Sequence, residues 1–320
     1  MKKPLVSVVM TVYNAQEFLN MAIDSILLQT YKNFEFIIVD DGSTDFSSNI
    51  INAYSDNRIK YVHQKNKGQA AALNTGIDMA KGKYIARMDA DDISYPTRLA
   101  RQVEFLEAYK DVAMFGTGFE FLDKDSGIFA RVYNLDRNED IQIEFLVRNP
   151  FGHGTVMIRR QVLIDVGGYD DSQPIEDYEL WWRVAKKHKV ANISEFLYGY
   201  RVLATGISHS ESSKRQEPIT KMMTQIWSES KIPKLSTTEF INTLNHYRDL
   251  GPMYREQYLY MLCALTAGLY KMGFYKETLD YLTKLLRVRG SVKAFKDYRK
   301  YPFTHNYNFG ILKNISPKNN

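Results

Sequence analysis

The chain has 320 residues, 44% of them apolar, 25% charged and 13% aromatic, with a formal net charge of +5; that is enough for one large domain or two small ones and excludes dominant disorder. Nine Pro, 18 Gly and no repeat period exclude collagen-like and low-complexity chains, and a single cysteine, Cys263, excludes a disulfide framework or a cysteine zinc site. The apolar stretch near Met261 to Tyr270 is about half the ~20 residues of a membrane span, and the segment before Asn14 is too short and polar for a signal peptide, so a cytoplasmic, non-spanning protein is expected.

The first hundred residues alternate between two periods. Val6 to Val12 and Phe34 to Val39 are short β-branched runs that end abruptly in polar residues, as buried strands do. Between them Phe18, Leu19, Ala22, Ile23, Ile26 and Leu27 recur at helical spacing behind Asn14 and Glu17, which have the spacing of a capping pair. The pattern continues with a helix around Ser47 to Tyr54, a strand at Ile59 to Val62, a helix from Gln69 to Met79 stopped by Gly82, and a strand at Tyr84 to Met88. Strands about 25 residues apart imply right-handed crossovers and a doubly wound, mostly parallel sheet, with its ligand site beyond the carboxyl ends of the strands.

Polar residues gather at those ends. Thr11, Tyr13 and Asn14 follow the first strand, Asp40-Asp41-Gly42-Ser43 the second, His63 to Gly68 the third, and Asp89-Ala90-Asp91-Asp92 the fourth. Each cluster alone is also what caps and turns use; four of them converge on one crevice. Asp89, Asp91 and Asp92 repel one another unless a cation intervenes, and a short Asp-X-Asp suits Mg²⁺ or Mn²⁺, which takes one or two carboxylates and completes its shell with water and phosphate oxygens. The alternative for Asp92 is an N-cap before Pro96, which leaves Asp89 unexplained. No G-x-G-x-x-G follows the first strand and no P-loop occurs, so a diphosphate is not held as in dehydrogenases or kinases. Asp41 can accept from a base imide and Tyr13 offers a stacking face, a pair that fits uracil.

Val6 to Asn14, Ile38 to Asp45, Asn66-Lys67-Gly68, Asn74-Thr75-Gly76-Ile77 and Arg87 to Asp92, followed by Gly152 to Arg160, Gly167-Gly168-Tyr169-Asp170, Glu176 to Leu180 and Tyr200-Arg201, resemble family 2 glycosyltransferases in content and order. The resemblance covers about residues 4 to 210 and is strongest to the bacterial polysaccharide-assembly branch. It implies the GT-A nucleotide-diphospho-sugar transferase fold, a metal bridging the donor pyrophosphate, and inverting transfer by direct displacement. On that resemblance Asp41 reads the base, with Thr11, Tyr13, Asn66, Gly68 and Arg87 on the nucleotide side and Asp40 structural or ribose-facing. Asp89 serves the ribose and the metal, and Asp91 is the direct metal ligand. Asp177 is the base, Glu176 orients the site or touches the acceptor, His153 contacts substrate or is a buried structural histidine, and His209 is a third metal ligand. Trp181 and Trp182 are expected in the core, because consecutive helical positions face different ways. Leu73 stands where many family members have Arg, which puts one donor-sugar contact in doubt.

The resemblance divides the chain into a catalytic domain, residues 1–210, with a nucleotide-sugar half to about residue 95 and an acceptor half after it, and a helical extension, residues 211–320. Residues 1–210 hold 24 Lys+Arg against 28 Asp+Glu, and residues 211–320 hold 18 against 9. Leu279, Leu282, Leu285 and Leu286 form an amphipathic face among cations such as Lys284, Arg287 and Lys293, which suits an anionic membrane surface; the alternative is a subdomain that packs on the catalytic domain or forms a homodimer. The expected partners are a UDP-sugar donor and a saccharide or lipid-linked saccharide acceptor, at the inner face of the plasma membrane, with no nucleic acid. A nucleotidyltransferase or pyrophosphorylase, or a silent nucleotide-binding scaffold, is the alternative function.

Overall fold

The computed structural model describes residues 5–203, 212–229 and 237–250, and beyond them 258, 259, 261–263, 265, 266, 280, 284 and 285. The expected alternation is present: β1 (Val6–Val12), α1 (Leu19–Leu27), β2 (Phe34–Asp40), α2 (Ser47–Asn52), β3 (Ile59–His63), α3 (Gln69–Met79) and β4 (Tyr84–Met88). β2 pairs in parallel with β1 and β3, and β1 with β4, which sets strand ends Val12, Asp40, His63 and Met88 along one edge. Every residue of β2 and β4 is buried. Unbroken apolar runs are what a parallel sheet covered on both faces requires.

Beyond β4 the sheet becomes mixed. β5 (Ile93–Ser94), α4 (Arg98–Ala108), β6 (Val112–Leu122), β7 (Ile128–Val132), α5 (Asn138–Glu144), β8 (Met157–Arg159), α6 (Arg160–Asp165), α7 (Glu176–Ala185) and β9 (Lys189–Arg201) follow. The strand order is β3-β2-β1-β4-β8-β6-β9-β5, with β7 on β6. β8 is antiparallel to both β4 and β6, while β6 and β9 run parallel. Strand alternation sorts the core into two layers. Val9, Ile37 and Ile85 cluster with Leu73 and Ile77 of α3 and with α7, while Val8, Met10 and Ile38 cluster with Ile23 and Ile26 of α1 and with α4.

Two local expectations are corrected. Asn14 does not cap α1, which starts at Leu19. Its backbone is left-handed (φ 49°), its amide N–H donates to Ser43 Oγ (3.0 Å), and its side-chain oxygen accepts from the Thr44 N–H (2.8 Å). The asparagine is spent on tying the loop after β1 to the loop after β2. The N-cap alternative for Asp92 is not realised either, since α4 begins six residues past it, behind Thr97.

Two further helices, α8 (Ser212–Glu229) and α9 (Thr237–Leu250), lie against α5 and α7. Trp182 Nε1 and Lys186 Nζ donate to Glu229 (3.0 and 2.7 Å), Tyr247 donates to Asp140 Oδ2 (3.0 Å), and Met222, Ile226 and Tyr247 join the core of α5 and α7. Of the four leucines at 279, 282, 285 and 286, only Leu285 is described. It is buried in that same core, and its neighbour Lys284 pairs with Asp280. Arg287 and Lys293 lie outside the described residues. Among the described residues no helix is long and apolar enough to cross a membrane.

Candidate active site

One end of the crevice is built on the strand ends of β1 to β3. Asp40 and Asp41 are both buried, and their neighbourhoods differ. Asp40 accepts from the Ser43 amide (2.9 Å), the Ser48 hydroxyl, Tyr61 (3.1 Å) and lies 3.1 Å from His63 Nδ1. Burial pushes its pKa up, but the bonds from Ser43, Ser48 and His63 outweigh this and hold it below the usual carboxylate value. Asp40 is therefore a hub that fastens α2 and β3 to β2. Asp41 accepts from Gln64 Nε2 (2.7 Å) and the Lys67 amide (3.0 Å) on one oxygen and from the Gly68 amide (2.8 Å) on the other. The second oxygen keeps one acceptor position. Gly68 adopts φ 91°, ψ 161°, a conformation essentially confined to glycine, which delivers its N–H to Asp41 at the start of α3. Thr11 is half-buried nearby in sequence, Tyr13 is 55% exposed with its ring available to a ligand, and exposed Asn66 backs onto Gly42.

The carboxylate cluster follows β4. Asp89 is in contact with the buried Arg87 guanidinium, and its amide donates to Tyr198 (3.1 Å). Asp92 is buried and accepts from the Arg201 amide (2.7 Å), while the Arg201 guanidinium donates to the carbonyls of Asp91, Asp123 and Lys124. Burial, with Asp89 adding to it, pushes Asp91 up to about 6 against the pull of Arg87 and Arg201. Asp92 is raised further, by burial and then by Asp91 and Asp89. The expectation that only a bound cation relieves the repulsion is thus corrected in part: Arg87, Arg98 and Arg201 already stand around the triplet. Arg98, also buried, is satisfied by the Arg87 carbonyl (2.5 Å), Ser94 (3.3 Å) and Gln102 (3.2 Å). Sequence reading missed it, because an arginine in an amphipathic helix looks like a surface residue.

The far end is formed by α7 and the turn at His153–Thr155. Glu176 and Asp177 are half-buried in the first turn of α7. Asp177 accepts from its neighbour's amide at Tyr178 (2.7 Å) and from Asn149 Nδ2 (2.9 Å). His153 Nε2 lies 2.8 Å from the Tyr169 hydroxyl, and its ring meets Trp181 edge-on at 5.9 Å. Asn74 holds the Tyr169 backbone from both sides, accepting from its N–H (2.9 Å) and donating to its carbonyl (2.8 Å). Gly168, at φ +69°, lets that chain press against Asn74, where a Cβ would come within 2.7 Å of Oδ1. Burial raises the Tyr169 pKa, Arg87 opposes it, and Asp177, Glu176 and Asp89 raise it further. Tyr169 also lines a small cavity with Arg87, the partner of Asp89, and its ring lies 6.2 Å from that of Trp181 on α7, the helix that opens with Glu176 and Asp177. Trp181 and Trp182 are buried, as expected. His209 lies outside the described residues. Among the described residues no three His, Cys, Asp or Glu side chains converge into a ready metal cage.

Asn149 and Tyr198 had no signal of function in the sequence, and Gln64 and Tyr169 stood only as members of a polar cluster and a family motif without a role: an amide or a phenol acquires its role only from what stands opposite.

A mixed sheet with parallel N-terminal strands, an acidic pair after β2 and an Asp-X-Asp after β4 defines an α/β enzyme of the GT-A type. Residues 7–167 match the model of glycosyl transferase family 2, and the chain belongs to that family. The O-antigen biosynthesis glycosyltransferase WbnJ of Escherichia coli is 30% identical over 250 residues, 76% of this chain and 95% of that protein. Among solved structures, the mannosyltransferase PcManGT from Pyrobaculum calidifontis, in complex with GDP-Man and Mn²⁺, matches with a TM-score of 0.57 at 19% identity over 92% of this chain and 84% of that one. The S. aureus TarS 1-349 structure in complex with UDP-GlcNAc matches at 0.59 and 15% identity over 92% and 91%. The chain is a glycosyltransferase with a GT-A fold.

Proposed function

We propose that this enzyme moves a sugar from a UDP-sugar to a saccharide or lipid-linked saccharide acceptor in cell-surface polysaccharide synthesis, with inversion at the anomeric carbon. The observation that carries the reading is that Tyr169 lines one small cavity with Arg87, the partner of Asp89, and packs its ring against Trp181 of α7, the helix that opens with Glu176 and Asp177. A donor diphosphate near Asp89 and an acceptor hydroxyl near Asp177 then share one crevice.

In this mechanism Tyr13 stacks on the base, and the remaining acceptor position of Asp41 takes the uracil imide N–H. Asn66 and Gly68 line the same end. Asp177, held by Asn149, accepts the proton of the acceptor hydroxyl as that oxygen attacks the anomeric carbon, so the new bond forms without a free alkoxide. Glu176 and His153 orient the acceptor. Asp89, 24% exposed, and Asp91, with its raised pKa, are hard oxygen donors suited to Mg²⁺ or Mn²⁺, with His209 as the third protein ligand. Bound there, the cation supplies charge neutralisation for the departing nucleoside diphosphate, an effect worth several kcal/mol. WbnJ, an O-antigen biosynthesis enzyme, supports the polysaccharide role, and the neighbours bound to UDP-GlcNAc and to GDP-Man with Mn²⁺ support a nucleotide-sugar donor and a cation. The catalytic unit is assigned to residues 1–210, and the basic region 211–320 to a peripheral position on an anionic cytoplasmic membrane face, with homodimerisation as its alternative role.

The test is thermal-shift binding of UDP, GDP, CDP and dTDP, each with Mn²⁺, Mg²⁺ or EDTA, because selective binding raises stability through linkage. Metal-dependent UDP selectivity is the expected result. Selectivity for another base overturns the role of Asp41, and no binding by any nucleotide overturns the nucleotide-sugar reading.

A further inference from the structure

Arg87 is held in an unusual way for a buried arginine. Its side chain is 4% exposed and points to the α3 side of the sheet, where Val9, Leu73, Ile85, Val156 and Trp181 help to enclose about 10 Å³ of free space. Its Nη1 touches Asp89 Oδ1, whereas Nε and Nη2 have no hydrogen-bond partner among the described residues. The backbone is pinned on both sides, since the Arg87 amide donates to Val156 (3.1 Å) and its carbonyl accepts from Arg98 (2.5 Å). A space of that size holds at most one water, so the guanidinium has nowhere to swing. Asp89, 24% exposed and at the end of its strand, is the partner able to move.

We propose that Arg87 is a built-in competitor of the divalent cation for Asp89. The inference rests on the reading of Asp89 and Asp91 as cation ligands. While the site is empty, Arg87 neutralises Asp89 and keeps it in place. A cation arriving alone must draw Asp89 away from this contact, or share it, beside a positive charge that cannot retreat. The other two arginines do not compete in this way: Arg98 is satisfied by Gln102, Ser94 and the Arg87 carbonyl, and Arg201 by backbone carbonyls. A nucleoside diphosphate brings the negative charge that accommodates both cations, so metal and nucleotide load together. Arg87 is thus a positioning residue that makes metal binding conditional on the donor.

The test is the affinity of the full chain for Mn²⁺ alone, by calorimetry or electron paramagnetic resonance, and again with saturating UDP. Arg87→Met and Arg87→Gln, which remove the charge, are expected to bind Mn²⁺ alone on the order of tenfold more tightly than wild type. Arg87→Lys is expected to stay near wild type, and the tightening that UDP produces should shrink in the neutral variants. Damage to the fold would loosen binding, so the direction separates competition from a merely structural role. Unchanged or weaker Mn²⁺ affinity in a folded neutral variant, where wild type binds, overturns the inference and leaves the metal reading standing. A wild type that binds no Mn²⁺ with or without UDP overturns the metal reading and this inference together. Should neither neutral variant fold, the protected Arg87 Nε–H resonance of the wild type decides: it shifts on Mg²⁺ saturation if Asp89 is drawn away, and an unmoved resonance overturns the proposal.

Discussion

Asn149 donates its side-chain amide to Asp177 Oδ2 at 2.9 Å, from a loop 28 residues upstream of Asp177. The bond fixes one carboxylate oxygen of the assigned base. Asp177→Asn should lower transfer by at least about a thousandfold, within the range for loss of a general base, with UDP affinity within about twofold of wild type. Asn149→Leu should lower kcat more than it raises KM. Single-turnover assays with UDP-sugars check both, and preserved turnover in Asp177→Asn removes Asp177 as the base.

Asp91 and Asp89 carry the cation in the proposed mechanism. Asp91→Ala should abolish the difference between Mn²⁺ and EDTA in UDP binding, measured by thermal shift. A retained metal requirement would move the ligand role elsewhere in the triplet.

The turn at Gly68 is set by Asp41, which takes the amides of residues 67 and 68. A Cβ at Gly68 meets nothing within 4 Å, so Gly68→Ala carries no clash, only backbone strain. The expected loss is about 1–3 kcal/mol of stability, with weaker UDP binding. Chemical denaturation and nucleotide titration check it, and an unchanged midpoint would show that the loop adapts.

Asp140, on α5, is pushed up to about 6 by burial, against the opposing pull of Arg137 and of the hydroxyl of Tyr247 on α9. Because the folded pKa exceeds the unfolded one, the native state holds the extra proton, and stability falls as pH rises from about 4 to about 6. Asp140→Asn keeps an acceptor for Tyr247 and removes the charge. It should raise stability at pH 7 by up to about 3 kcal/mol and flatten the pH profile between 4 and 6. Melting curves across that range test it, and an unaltered slope would mean that Asp140 is not the group responsible.

The alternation of strands and helices to Met88 was legible in the sequence because each local pattern agrees with its place in the sheet. β-branched runs such as Phe34 to Val39 suit strands buried on both faces, and the i, i+3, i+4 spacing around Ala22 and Ile26 suits a helix on one face. The acidic clusters at Asp41 and Asp89 to Asp92 were legible for the same reason, since strand ends in such a sheet form the crevice. What local pattern could not determine is which side chain answers which. Asn14 looked like a helix cap and instead joins two loops. Asp92, with a cap as its alternative role, receives the Arg201 amide from β9, 109 residues away. The antiparallel insertion of β8 between β4 and β6, which carries the turn at His153 towards β4, has no signature in either strand. Sequence determines the elements because their patterns repeat within a few residues. Only the tertiary structure decides the partners of Arg87, Asp177 and Tyr169, because a charge or a hydrogen bond is specified by the group opposite, and that group comes from a distant part of the chain.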